Sequence, residues 1–183
     1  MAEFRKPYVK RGGGRDAWRS VLFTSADIPA GRDSSAEGFA AFLLRYQQKS
    51  AALVRYAQGG SGSAGTDGTV GDTPVSGPGG LHVYERSVAA AASAPGQERM
   101  FWDWLKNGYD ILVFDYSPLQ ENALLIDLGD FADKVLLTVL AERSNKHVVH
   151  NALGILTQYG LTPDGLILAG RRLHIPQSIY RNL

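Results

Sequence analysis

Hydrophobic positions along this chain switch repeatedly between short continuous runs and runs spaced three or four apart. Residues 20–24, SVLFT, form the first continuous run, and Phe39, Phe42, Leu43 and Tyr46 then recur at the spacing of one helical face. One strand feeding one helix is predicted. A second short strand is predicted over residues 51–54, AALV, reached from the helix through residues 47–50. The alternation resumes after residue 80, with a strand over 81–84 and an alanine-rich stretch over 88–94 that breaks at Pro95-Gly96. Residues 97–106 then place Met100, Phe101, Trp104 and Leu105 on one helical side. Asn107-Gly108 closes that helix, because glycine accepts the left-handed conformation beyond a helix end.

Residues 111–114, ILVF, are the clearest central strand, apolar without alternation, as expected where helices cover both faces of a sheet. The same pattern returns over residues 134–140, with a short helix expected over 119–128. Ser144 is a candidate cap for a long helix that buries Val148, Val149, Ala152, Leu153, Leu156 and Tyr159 and stops at Gly160. Residues 165–169, GLILA, form the last strand. Strands separated by helices with short joins imply right-handed crossovers, and so a three-layer α/β/α fold with a mostly parallel sheet. Between the two halves, residues 59–80 collapse into Gly, Ser, Thr, Asp and Pro, a composition unable to bury enough surface to order itself. The expectation is one α/β domain over 20–183 carrying a disordered insertion at about 59–80.

Length and composition agree with this picture: 183 residues at 44% hydrophobic suffice for a single core. The absence of cysteine excludes a disulfide framework, a thiolate metal site and a thiol nucleophile. No run approaches the ~18 apolar residues of a membrane span. The net charge of +1 is unevenly spread. Residues 1–19 hold Arg5, Lys6, Lys10, Arg11, Arg15 and Arg19 against Glu3 and Asp16, a flexible basic arm that reads first as a solvated tail and otherwise as a contact for acidic partners or anionic headgroups. Nucleic-acid binding is not expected, since no recognition helix, aromatic stripe or zinc motif accompanies the arm.

The chemistry of such a sheet is expected beyond the carboxyl ends of its strands. Residues 29–35, PAGRDSS, stand between the first strand and the first helix, where backbone N–H groups at a helix start would bind phosphate. A phosphate loop also needs a cation, which lysine supplies in the P-loop motif. Here Gly31, Ser34 and Ser35 are present, but Arg32 and Asp33 occupy the centre. Arg32 is the one residue able to contact phosphate with a charged fork. Asp33 competes for the same amides, and a simple helix cap at Asp33 or Ser34 is the cheaper account of the loop. Asp115 follows ILVF, where a carboxylate ordering magnesium would stand, although a turn-forming role before Ser117-Pro118 also explains it. His147 and His150 are read as surface residues, and Ser25 and Asp27 lack a third catalytic partner.

The run VLFTSADIPAGRDSSAEGFAAFLLR resembles the opening of the MinD/ParA-like P-loop ATPases. It is most similar to the cytoplasmic tyrosine-kinase-like domains of bacterial polysaccharide chain-length regulators. On that pattern Pro29 and Ala30 match the Pro-Gly of the loop, Asp33 falls on its lysine, and Ser34 and Ser35 fall on the hydroxyl positions. Arg55, after AALV, falls on the aspartate of the second motif, which serves magnesium and catalysis. ILVFDYSPL resembles the third motif, with Asp115 and Pro118 matching its Asp-x-x-Pro. The likeness continues through ADKVLLTVLAERSNKHVVHNALGILTQYG and GLILAGRRLHIPQSIYR, without a tyrosine-rich tail beyond Tyr180.

This resemblance implies a catalytically inactive pseudo-ATPase or pseudokinase, without cofactor or metal, acting as a scaffold or regulator in bacterial exopolysaccharide biosynthesis or secretion. Cellulose is one candidate glycan. The partners implied are a protein of the synthesis complex and either a second copy of the chain or a related protein. The expected location is cytoplasmic, with peripheral contact at the inner membrane through the basic arm. One alternative is an active ATPase or kinase with ATP and Mg, in which Arg32 or a partner provides the cation and Gly31, Arg32, Ser34, Ser35 and Asp115 bind the nucleotide. Another is a spatial regulator on membrane surfaces.

Overall fold

The computed structural model describes residues 18–27, 35–57, 73–119, 121–141 and 143–170. The basic arm up to residue 17, the loop residues 28–34 and residues 58–72 lie outside these. A seven-stranded sheet runs in the order β3-β4-β2-β5-β1-β6-β7, with β1 Ser20–Ser25, β2 Ala51–Ala57, β3 Val75–Ser76, β4 His82–Ser87, β5 Ile111–Tyr116, β6 Lys134–Leu140 and β7 Gly165–Ala169. Every pairing is parallel except that of β3 with β4. The helices are α1 Ser35–Gln47, α2 Val88–Ser93, α3 Pro95–Gly108, α4 Ala123–Phe131 and α5 Lys146–Gln158.

Continuous apolar strands make a core on each face of the sheet. Val21, Phe23, Leu53, Val83 and Val113 pack with Ala36, Ala40 and Leu43 of α1 on one side. Leu22, Val54, Leu112, Phe114 and Leu137 pack on the other with residues of the remaining four helices, around the fully buried Trp102. The expected three layers are therefore present. Asp133 anchors the amino end of β1, its Oδ2 accepting from the Arg19 N–H at 2.8 Å, the Ser20 N–H at 3.0 Å and the Ser20 hydroxyl at 2.7 Å.

Local expectations differ from the structure in several places. Residues 73–80, expected within the unstructured insertion, form the short antiparallel β3 and a 3-10 turn over Pro78–Gly80, because β4 offers an edge to pair with. The strand expected at 81–84 is displaced to His82–Ser87, and β2 continues through Arg55 to Ala57. Asn145, not Ser144, caps α5, its Oδ1 accepting from the Val148 N–H at 3.0 Å. The end of α5 forms as expected. Gly160 takes φ +73°, its N–H donates to the Thr157 carbonyl at 2.9 Å, and the Leu161 N–H reaches the Leu156 carbonyl at 2.8 Å. That is the Schellman arrangement, which satisfies carbonyls left over at the helix end.

Candidate functional site at the carboxyl end of the sheet

Sheet register builds this site from residues far apart in the chain. Arg55 on β2 lies opposite Glu85 on β4 at one flank and opposite Asp115 on β5 at the other. Two residues earlier in the same strands, Leu53, Val83 and Val113 belong to the core facing α1. Side chains of a strand alternate between faces, so Arg55, Glu85 and Asp115 also stand on the α1 side. Glu37, in the first turn of α1, closes the group from above.

One guanidinium therefore meets three carboxylates. Its Nη2 donates to Glu37 Oε2 at 2.5 Å, while Nε lies 3.7 Å from Asp115 Oδ2 and Nη1 lies 3.8 Å from Glu85 Oε1. The first contact is a charge-assisted hydrogen bond; the other two are ion pairs beyond hydrogen-bond distance. The Asp115 side chain is 9% exposed and that of Arg55 26%. An ionised carboxylate so far from water needs a cation or donors beside it, and Arg55 is a cation in that place.

Of the residues expected to bind nucleotide, Asp115 stands at the end of β5 and Ser35 opens α1, the helix that carries Glu37. Gly31, Arg32 and Ser34, together with Pro29, Ala30 and Asp33, lie outside the described residues. Glu37 and Glu85 escape a sequence reading. The signal of Glu85 is visible only once AALVRYA and HVYERS are aligned as neighbouring strands, with Arg and Glu at matching positions, and Glu37 joins them only through the packing of α1 on the sheet.

The surrounding polar groups hold the same end of the molecule together. The Ser25 hydroxyl donates to the Asp27 carbonyl at 2.7 Å, and the Ser144 hydroxyl donates to Asp27 Oδ2. Ser144 thus ties the segment after β1 to the loop after β6. The Ser117-Pro118 peptide, within the expected turn, is cis. On the opposite face, the buried Glu98 accepts from the Tyr56 hydroxyl at 2.7 Å and from Arg86 Nη2 at 2.6 Å, and Trp102 Nε1 donates to the Tyr56 oxygen at 2.8 Å. Burial, reinforced by the Glu98 charge, raises the Tyr56 phenol well above its ordinary value. Burial also pushes Tyr116 up to about 12. His147 and His150 are exposed on α5. Among the described residues, no group of three or more His, Cys, Asp or Glu is arranged to hold a metal ion.

No family model matches the chain, and no curated protein matches its sequence. Solved structures do match in fold. The chimerical protein CapA2B2 superposes with a TM-score of 0.68 at 17% identity, over 87% of this chain and 79% of that one. The kinase domain of the Escherichia coli tyrosine kinase ETK gives 0.65 at 17% identity, over 86% and 70%. The kinase domain of VpsO gives 0.63 at 22% identity, over 86% of each chain. At these identities the likeness is one of architecture: the chain has a three-layer, mostly parallel α/β/α fold that these structures share.

Proposed function

We propose that this chain is a non-catalytic member of the kinase-like P-loop domains, acting as a scaffold or regulator of bacterial exopolysaccharide synthesis or secretion. The link to polysaccharide rests on the resemblance of VLFTSADIPAGRDSSAEGFAAFLLR and ILVFDYSPL to the chain-length regulators. The non-catalytic reading is carried by Arg55, whose guanidinium stands 3.7 Å from Asp115. In the resembled family this end of the sheet would serve Mg-ATP, and a divalent cation beside Asp115 would be repelled by the guanidinium. At about 4 Å and an effective dielectric near 20, one pair of unit charges interacts by about 4 kcal/mol. Since about 1.4 kcal/mol is a tenfold change in affinity, Arg55 and Asp33 together leave little room for productive nucleotide binding. Function then resides in surfaces that a synthesis complex recognises.

The experiment is titration calorimetry of the whole protein with Mg-ATP. Binding no tighter than millimolar is expected, and micromolar affinity would refute the proposal. A second reading is favoured by the structural relatives, two of which carry kinase domain in their names. It holds that the chain is an active ATPase or kinase in which Arg32 or a partner neutralises the phosphates. Nucleotide retained through purification, or phosphate released in the presence of the partner complex, is the observation that separates the two.

A further inference from the structure

β7 stands at one edge of the sheet. Among the described residues β7 pairs only with β6, in a register running from Leu136 opposite Gly165 to Leu140 opposite Ala169. The Ala141 N–H donates to the Ala169 carbonyl at 2.8 Å. Alternation along the strand then turns the main-chain groups of Gly165, Ile167 and Ala169 toward β6. Those of Leu166 and Leu168 point outward. The side chains of Leu166 and Leu168 are 61% and 60% exposed.

Edge strands of this kind are ordinarily blunted by charge, proline, a bulge or a covering segment. GLILA contains neither charge nor proline, and its pairing with β6 runs without a bulge. At the opposite edge, β3 covers the first two residues of β4, and the remainder carries Glu85 and Arg86. The composition of β7 also fits a two-fold axis. Read outward from Ile167 it is Leu then a small residue in both directions, Leu166 and Gly165 one way, Leu168 and Ala169 the other.

A two-fold axis normal to the sheet pairs residues that share a face, as this palindrome allows. Centred on Ile167, it sets Leu166 opposite Leu168 of the second copy. Both have outward main-chain groups, so both reciprocal hydrogen-bonded pairs form. Ile167 then faces Ile167 of the second copy as a non-hydrogen-bonded pair, with Cα atoms about 4.5 Å apart. The same operation centred on Glu85 of β4 would oppose two like charges.

We propose that the chain forms a two-fold homodimer in which β7 pairs antiparallel with β7 of a second copy about Ile167, continuing one sheet through both subunits. This does not depend on the proposed function. The test measures the mass of the full chain by light scattering at tens of micromolar, together with variants. Wild type is expected to be a dimer and L166K/L168K a monomer with unchanged circular dichroism. L166K/L168E is expected to be a dimer, because the lysine of one copy then meets the glutamate of the other across the axis. The chain has no cysteine, so Ile167→Cys supplies a single probe. Its expected Cα separation falls inside the ~4.4–6.8 Å range of disulfides, and mild oxidation is expected to give a covalent dimer. Leu166→Cys, which does not face its own copy, is expected to cross-link at least tenfold more slowly. A monomeric wild type that yields no cross-link at residue 167 overturns the proposal. So does a dimer that survives L166K/L168K with native circular dichroism, which places the interface elsewhere. A chain ending at Gly170 that dimerises while the full chain stays monomeric also overturns it, assigning the edge to residues 171–183.

Discussion

Replacing Arg55 by methionine keeps the length of the side chain and removes its charge, leaving Glu37, Glu85 and Asp115 gathered around an apolar group. At 3.7 Å and an effective dielectric near 20, the attraction between Arg55 and Asp115 is about 4–5 kcal/mol before desolvation of the guanidinium is set against it. Fully exposed pairs retain about 0–1 kcal/mol of such attraction, and breaking fully buried ones costs about 3–5 kcal/mol. A guanidinium 26% exposed beside a carboxylate 9% exposed belongs between these limits. Arg55→Met is therefore expected to lower stability by about 2–3 kcal/mol, which for a chain of this size corresponds to about 4–12 °C in Tm.

A double-mutant cycle locates the loss. Asp115→Asn alone leaves the Glu37 hydrogen bond to Arg55 intact and is expected to cost about 1 kcal/mol. Added to Arg55→Met, it removes the carboxylate that has lost the guanidinium, so the double variant should recover about 1–2 kcal/mol relative to Arg55→Met. Urea denaturation followed by tryptophan fluorescence measures all four proteins. If Arg55→Met lies within about 0.5 kcal/mol of wild type, the guanidinium is not integrated into this site. Equal stability of the double variant and the additive sum would likewise refute the coupling.

Two further perturbations test the scaffold that holds the site. A Cβ on Gly129 of α4 would lie 2.7 Å from Leu161 Cδ1 and 2.9 Å from its Cγ, so Gly129→Ala should destabilise by about 1–3 kcal/mol in thermal denaturation. Burial acts to raise the Asp133 carboxyl, but hydrogen bonds from the Arg19 N–H and from Ser20 outweigh it and hold the carboxyl below its ordinary value. A lowered folded value means that Asp133 stabilises the protein above the unfolded value, about pH 3.9, and loses that effect as pH falls through the folded value. Asp133→Asn should cost about 1 kcal/mol at pH 7, and denaturation curves of variant and wild type should converge below about pH 4.

Much of the architecture is legible in the sequence because its central strands are buried on both faces. ILVF and KVLLTVL need no partner to announce themselves as strands, and Gly160 announces the end of α5. Boundaries set by tertiary contacts are not legible in the same way. β2 runs on through Arg55 because its neighbours β4 and β5 run on beside it, and β3 exists only because β4 presents an edge. The cap of α5 illustrates a local competition: both Ser144 and Asn145 suit the role, and Asp27, distant in sequence, engages the serine. The site divides along the same line. Asp115 is recognisable from its strand, whereas Glu37 and Glu85 become partners of Arg55 only through packing and register.

That division bears on where the two functional readings part. The conformation of PAGRDSS governs whether phosphate could approach, but the charge beside Asp115 is set by the pairing of β2 with β5. Parallel register leaves residue 55 nowhere else to place its side chain, since a shift by one would turn Leu53 out of the core facing α1. A loop rearrangement on binding nucleotide would therefore leave strand residue 55 in place. To admit a divalent cation at Asp115, the guanidinium must swing away from Glu37 and Glu85 as well, and those contacts resist the swing together. An active reading has to supply that energy from a partner, while a scaffold reading requires only that the cluster stay as it is. On the proposed non-catalytic reading, nucleotide is excluded first by Arg55 and only afterwards by the loop.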